Sequence, residues 1–169
     1  MPMVDKSEAL ERLEAYKRSL RPFDCLLCAV RSAVEETDQV IASNAHGLVV
    51  LNRFGQRRGH LMVLSRRHVD HLHELDWTAC AELQRLAYDA NIALKRTLAP
   101  LRIFSAVLGT DAPIATSYAH LHVHVLPIHE ADERSRPARV FTWSEGVYVY
   151  GEGEAEALAA ELRAAWPEP

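Results

Sequence analysis

Apolar residues recur along this chain with two periods, one helical and one strand-like, and the switches between them mark the elements. Leu10, Leu13, Tyr16 and Leu20 predict a helix over 7–20, with Ser7 as N-cap and Pro22 closing it. Cys25-Leu-Leu-Cys28 follows, and the polar run Glu35-Glu-Thr-Asp38 reads as a loop or turn. Two short strands are expected next, Gln39–Ser43 and Gly47–Asn52, around a turn at Ser43-Asn44. The turn Phe54-Gly-Gln-Arg-Arg-Gly59 leads to a third strand, His60–Ser65. Between Asp76 and Leu98, Ala79, Leu83, Leu86, Ala90 and Leu94 form one apolar stripe, so this is the long helix, with Asp76 as N-cap and Pro100 beyond its end. Strand character returns at Arg102–Leu108 and at Tyr118–Ile128, with the loop Gly109–Ala115 between them. A charged loop over 130–136, a hairpin of Val140–Trp143 with Val147–Tyr150, and a short helix over 154–166 complete the chain. The order strands, helix, strands defines an α+β fold with helices on one side of a mainly antiparallel sheet. For 169 residues one core suffices. Residues 1–22 are then an N-terminal helical arm, 23–130 the body, and 131–169 a C-terminal hairpin and helix of the same domain.

One of these strands carries chemistry. In Ala119-His-Leu-His-Val-His-Val-Leu-Pro127 three imidazoles alternate with apolar residues. Strand alternation places His120, His122 and His124 on one face, about 7 Å apart, and Leu121, Val123 and Val125 on the other. Burying three imidazoles is costly unless each finds a partner. Two chemistries use such a row, ligation of a transition metal or attack on and retention of a phosphate.

Composition narrows the setting. A net charge of -4 argues against a nucleic-acid polymer as partner, while local arginines remain able to bind a small anion. No apolar run is long enough for a membrane span, and the N-terminal residues have no signal-like apolar core, so a cytoplasmic protein is expected. Cys25, Cys28 and Cys80 are too few and too odd for a disulfide framework, which fits a reducing compartment. Cys25 and Cys28 are either half of a metal site or two small buried hydrophobes. Of nine histidines, seven fall in two clusters, His60, His68, His71 and His73, then His120, His122 and His124.

The segment His120-Leu-His-Val-His-Val-Leu126 resembles the signature of the histidine triad (HIT) nucleotide hydrolases and transferases at all seven positions. The resemblance extends through Leu51-Asn-Arg-Phe54, Gly59-His-Leu-Met-Val-Leu-Ser-Arg-Arg-His68, the long helix and the Gly109 loop, about 23–130 in all. It looks most like the dinucleoside polyphosphate hydrolase and phosphorylase branch. The resemblance implies that His122 is the nucleophile, attacking an α-phosphorus to give a nucleotidyl-histidine that water or another acceptor resolves. It implies that His124 holds a non-bridging phosphate oxygen, that His60 completes the histidine cluster, that Ser117 meets the phosphate or leaving group, and that Asn52 binds a ribose hydroxyl. The substrate would be a dinucleoside polyphosphate or a nucleoside phosphoramidate.

The chain departs from the family pattern in places. Ala115-Thr116-Ser117 replaces the usual Gly-Gln-Ser/Thr, leaving Thr116 and Ser117 as phosphate-side candidates. Gly109 stands where a glutamine often contacts substrate in the triphosphate hydrolases, and Gly55-Gln-Arg-Arg58 replaces a proline-containing turn. Arg57 and Arg58 are candidate clamps for distal phosphates, against a reading as solvated turn residues. Some members bear a structural zinc, and the matching set here is Cys25, Cys28, His68 and His120, a closed Cys₂His₂ site. Family members are usually homodimers that use the long helix and a sheet edge, with a C-terminal tail, here from Trp143 to Trp166, reaching the partner's site. Two other readings differ in class: a hydrolase with a catalytic zinc on the triad, needing Glu130 or Asp111 as base, and a nucleotide-sensing module without turnover.

Overall fold

The computed structural model describes residues 3–109 and 118–168. Helix α1 (Lys6–Ser19) starts one residue earlier than expected. Its N-cap is Asp5, whose carboxylate accepts the Glu8 amide proton at 3.0 Å, and not Ser7. Residues 26–36 form a helix (α2, Leu26–Glu36), an element the sequence pattern did not predict. Leu27 and Val34 supply the buried face of α2 and pack on Leu48, Val50, Met62 and Leu64. Of the polar run at 35–38, Glu35 and Glu36 end this helix and Thr37 and Asp38 form the expected turn.

The sheet has five strands in the order β2-β3-β4-β6-β5, every pairing antiparallel. They are β2 (Ala42–Ser43), β3 (Gly47–Leu51), β4 (Leu61–Ser65), β5 (Arg102–Ala106) and β6 (His122–Ile128). The long helix α3 (Trp77–Leu98) is capped by Asp76 as expected, with the Ala79 amide donating to Oδ1 at 2.9 Å. Its stripe of Leu83, Leu86, Ala90 and Leu94 meets Val49, Val63, Val123 and Val125 on one face of the sheet. Helices therefore cover both faces, α3 on one and α2 on the other, which corrects the one-sided arrangement. Strand β3 accounts for this, because Leu48 and Val50 point one way, Val49 the other, and all three are buried.

The C-terminal hairpin does not form. Pro137–Val140 is a short helix (α4), and β7 (Val147–Tyr148) instead pairs with β1 (Met3–Val4) in a separate two-stranded ribbon. Gly146 permits that approach. Its φ is 90°, and a Cβ there would lie 2.6 Å from the Val4 carbonyl oxygen. The last helix, α5 (Glu154–Ala164), lays Leu158 and Leu162 into the α3 core. Among the described residues no helix is long and apolar enough to cross a membrane.

Candidate active site and metal centre

The row of histidines is divided by where the strand begins. Strand β6 starts at His122 and not at Tyr118; His120 lies in a bend before it, where the Leu121 amide donates to the Val69 carbonyl at 2.6 Å. His122 and His124 therefore share the sheet face turned away from α3, while Val123 and Val125 enter the α3 core. His120 turns toward the N-terminus of α2.

Hydrogen bonds connect the buried imidazoles in one direction. The Gln56 amide donates to His60 Nδ1 at 3.4 Å, and the Asn52 amide nitrogen lies at the same distance from that atom. With Nδ1 an acceptor, His60 carries its proton on Nε2, 3.0 Å from His124 Nδ1. His124 then carries its proton on Nε2, 3.1 Å from His122 Nε2. His122 completes the series by donating from Nδ1 to the His120 carbonyl at 2.6 Å. This sequence of tautomers requires neutral rings. Burial lowers the pKa of His122, His124 and His60, that of His60 to about 3. Its outcome is an Nε2 lone pair on His122 directed away from the protein backbone, with the His124 proton beside it.

The buried His60 makes stability depend on acidity. The unfolded ring takes a proton near pH 6.5 and the folded ring only near pH 3, so acid favours the unfolded chain throughout that window. The cost is about 1.4 kcal/mol for each unit below the unfolded pKa. Urea unfolding of the wild type should therefore shift to lower midpoints as pH falls below 6.5, and more steeply than for His60→Asn. Equal slopes for the two proteins would show that His60 is not held neutral.

A cavity of about 620 Å³ opens onto His122 and His124. Asn52, Gln56, Tyr118 and Phe141 contribute to its wall, and Leu27 and Val30 of α2 give it an apolar end. Asn52 thus reaches the site, its Oδ1 accepting the Phe54 amide proton at 3.0 Å. Gln56, absent from the sequence-based candidates, is 5% exposed and its Oε1 has no partner among the described residues. Only its unexpected burial distinguishes it, and nothing in the turn sequence signals that. Arg57 and Arg58 do not line the cavity. Arg57 donates to the Gln56 carbonyl at 2.7 Å and lies 3.4 Å from Glu130, and Arg58 is 2.9 Å from Glu154. Thr116 and Ser117, like Asp111, lie outside the described residues.

On the other side of His120, four ligand atoms converge. His120 Nδ1 lies 3.5 Å from Cys25 Sγ, 3.4 Å from Cys28 Sγ and 3.3 Å from His68 Nδ1, and Cys28 Sγ lies 3.5 Å from His68 Nδ1. All four lie within 4.8 Å of one another and could hold a metal ion. Helix α2 explains the cysteines, since Cys25 is its N-cap and Cys28 lies in the first turn, with the Cys28 amide donating to Cys25 Sγ at 3.4 Å. His120 is oriented by its other nitrogen, with Nε2 donating to the Ser65 carbonyl at 2.8 Å. Without an ion, burial and the neighbouring Cys25 hold the Cys28 pKa up, so a metal would have to displace the thiol proton. Among the described residues this is the only ligand cluster of the kind. A catalytic ion shared by the three triad histidines is not favoured, because His120 faces the cysteines while His122 and His124 face the cavity.

An antiparallel sheet bearing linked, neutral histidines at the mouth of an apolar cavity defines a small-ligand site suited to phosphate chemistry. The family model of the HIT domain matches residues 33–131, and the chain belongs to that family. An uncharacterised 16.1 kDa HIT-like protein from Mycoplasma pneumoniae is 24% identical over 68% of this chain and 78% of its own length. The zinc-bound histidine triad family protein from Mycobacterium smegmatis superposes with a TM-score of 0.60 and 21% identity, over 84% of this chain and 92% of that one. The diadenosine triphosphate hydrolase of Plasmodium falciparum, solved with cyclomarin A, gives a TM-score of 0.56 at 16% identity, over 76% and 79% of the two chains.

Proposed function

We propose that the protein is a nucleotide hydrolase or transferase that cleaves a dinucleoside polyphosphate or nucleoside phosphoramidate at the α-phosphate through a nucleotidyl-His122 intermediate. The observation that carries this reading is the directional series from Gln56 through His60 and His124 to His122. In the resting site the His124 Nε2 proton points at His122 Nε2; a bound phosphate gives that proton an oxygen to move to. The His122 lone pair then forms a bond to phosphorus as the bond to the leaving group breaks, and Ser117 is the proposed hydroxyl that meets the departing group. The positive charge left on the ring is stabilised by the Nδ1–H bond to the His120 carbonyl, 2.6 Å long. Water, or inorganic phosphate as an alternative acceptor, breaks the nitrogen–phosphorus bond and restores neutral His122. Asn52 and Thr116 are the proposed nucleotide contacts on the ribose and phosphate sides. Arg57 and Arg58 would have to leave Glu130 and Glu154 to reach distal phosphates, which makes them weaker candidates than Asn52.

Zinc is the metal we assign to Cys25, Cys28, His68 and His120. Tetrahedral zinc, with bonds of about 2.3 Å to sulfur and about 2.05 Å to nitrogen, separates its sulfur and nitrogen ligands by about 3.6 Å and its two nitrogens by about 3.3 Å. Four of the ligand separations, 3.3–3.5 Å, lie close to those values, and a zinc-bound protein of the same fold exists. Four protein ligands leave no position for water, so the ion would fix the entry to β6. A cytoplasmic homodimer is part of the same proposal. Trp77 and Tyr88 on α3 and Leu101 just beyond it are 81%, 63% and 69% exposed, apolar surface that a second copy would cover, and a sedimentation mass of one chain would exclude the dimer.

The test incubates the protein with diadenosine polyphosphates and adenosine phosphoramidate, with and without inorganic phosphate, and follows products beside intact mass. Turnover with a transient species one nucleotide heavier is expected, and it should persist on first addition of a chelator. Immediate loss on chelation would instead point to a catalytic metal, and binding of AMP without turnover of any substrate to a sensing module.

A further inference from the structure

We propose that the cavity contains a second, aromatic subsite, formed by Tyr16, Phe54 and Trp143 with Arg53, that takes the second base and part of the phosphate linker of a dinucleoside polyphosphate. The proposal rests on the reading above and selects one of its two substrate classes. All four residues line the cavity that opens onto His122 and His124. The Tyr16 and Phe54 ring centroids are 5.8 Å apart and those of Phe54 and Trp143 are 6.5 Å apart, so the rings form a stepped row. Phe54 is tied to Asn52 by the hydrogen bond that its backbone N–H donates to Asn52 Oδ1.

The row is not part of the core. None of the three rings belongs to the hydrophobic clusters that hold the sheet and helices together, and each is half-buried. Aromatic surface left open on a cavity wall suits a flat ligand that completes its burial. Trp143 is held there at a backbone cost. Its φ is 59°, in the left-handed region that bulky residues avoid, and the turn is fixed by the Gly146 amide bond to the Trp143 carbonyl at 3.1 Å. Arg53 supplies the charge. Its guanidinium lies 5.0 Å from the Tyr16 ring centroid, and no ion pair engages it among the described residues. Arg12 also lines the cavity but is already paired with Glu8. Stacking surface beside an unneutralised guanidinium matches a purine joined to a polyphosphate, whereas the ammonia released from adenosine phosphoramidate has neither a ring nor a negative charge to place there.

The test uses His122→Ala, which keeps ligands intact, titrated by calorimetry with AMP, ATP and diadenosine triphosphate. ATP carries the same three phosphates without the second adenosine, so the ratio of its Kd to that of the dinucleotide isolates the contribution of the second nucleoside. A ratio of about ten or more is expected, falling toward one when Tyr16→Ala or Trp143→Ala is added; Arg53→Gln, an exposed change, should narrow the ATP-to-AMP ratio. Equal Kd values for ATP and dinucleotide in the parent, or ratios unchanged in the variants, would overturn the subsite. If the wild type forms no nucleotidyl adduct with any substrate, the covalent chemistry fails while the Kd ratio still decides the subsite. Absence of binding by all three ligands overturns both.

Discussion

His122→Ala is expected to lower turnover of a diadenosine polyphosphate by about 10⁴-fold or more and to abolish the transient species one nucleotide heavier. The size of the effect follows from the geometry. His122 alone among the linked rings ends the series with its Nε2 toward the cavity, while its Nδ1 is committed to the His120 carbonyl. His124→Ala should cost less, on the order of 10²–10³-fold, because it removes one aligned donor from the transition state and leaves the nucleophile. His60→Ala acts one ring further back, through the tautomer of His124, and its loss should be smaller again and fall on kcat more than on KM. A His122→Ala protein within tenfold of wild type would reject the covalent route, since no other imbalance in the site supplies a nucleophile at that position. Measuring adduct and steady-state rate on the same samples separates loss of chemistry from loss of fold.

The histidine row was legible in the sequence, but its division was not. Alternation predicts three rings on one face, and the structure keeps that for His122 and His124 only. His120 leaves because the chain bends to pair with the segment after β4, and that bend depends on contacts 55 residues away, with the Ser65 carbonyl receiving the His120 proton. The resemblance to the family named the four cluster residues before any coordinates, since the Cys-x-x-Cys spacing, His68 and His120 stand in the matching positions. Leu26, Leu27, Val30 and Val34 have the spacing of helix α2, but the cysteine pair at its start and the polar run at its end leave too short an apolar period between them to predict a helix. The hairpin error has a similar origin. Local turn residues at 144–146 predict strand pairing within the segment, whereas the actual partner of β7 is at the opposite end of the chain, Met3–Val4. The aromatic wall of the cavity was invisible for the same reason, as Tyr16, Phe54 and Trp143 meet only after three separate segments fold together.

Removing one metal ligand should have the largest effect on stability. Cys28→Ser is expected to empty the site and lower the melting temperature by about 10 °C, from a loss of roughly 3–5 kcal/mol at about 2–4 °C per kcal/mol for a chain of this size. The ion would join three pieces of chain at one point: Cys25 and Cys28 at the start of α2, His68 after β4, and His120 before β6. Losing it frees the bend that sets where β6 begins, so the register that places His122 and His124 loses its upstream anchor. Activity should therefore decline together with thermal stability and recover on cooling, unlike the His122→Ala defect, which no temperature rescues. Cys80→Ser serves as the control, because that thiol lies on α3 outside the cluster and its loss should leave metal content at that of the wild type. One zinc per chain in both the wild type and Cys28→Ser, with melting temperatures within about 2 °C, would show that the four residues are not a metal centre. Zinc content that falls with no thermal shift would keep the site but remove its structural role, and the entry to β6 would then rest on the Ser65 and Val69 backbone contacts alone.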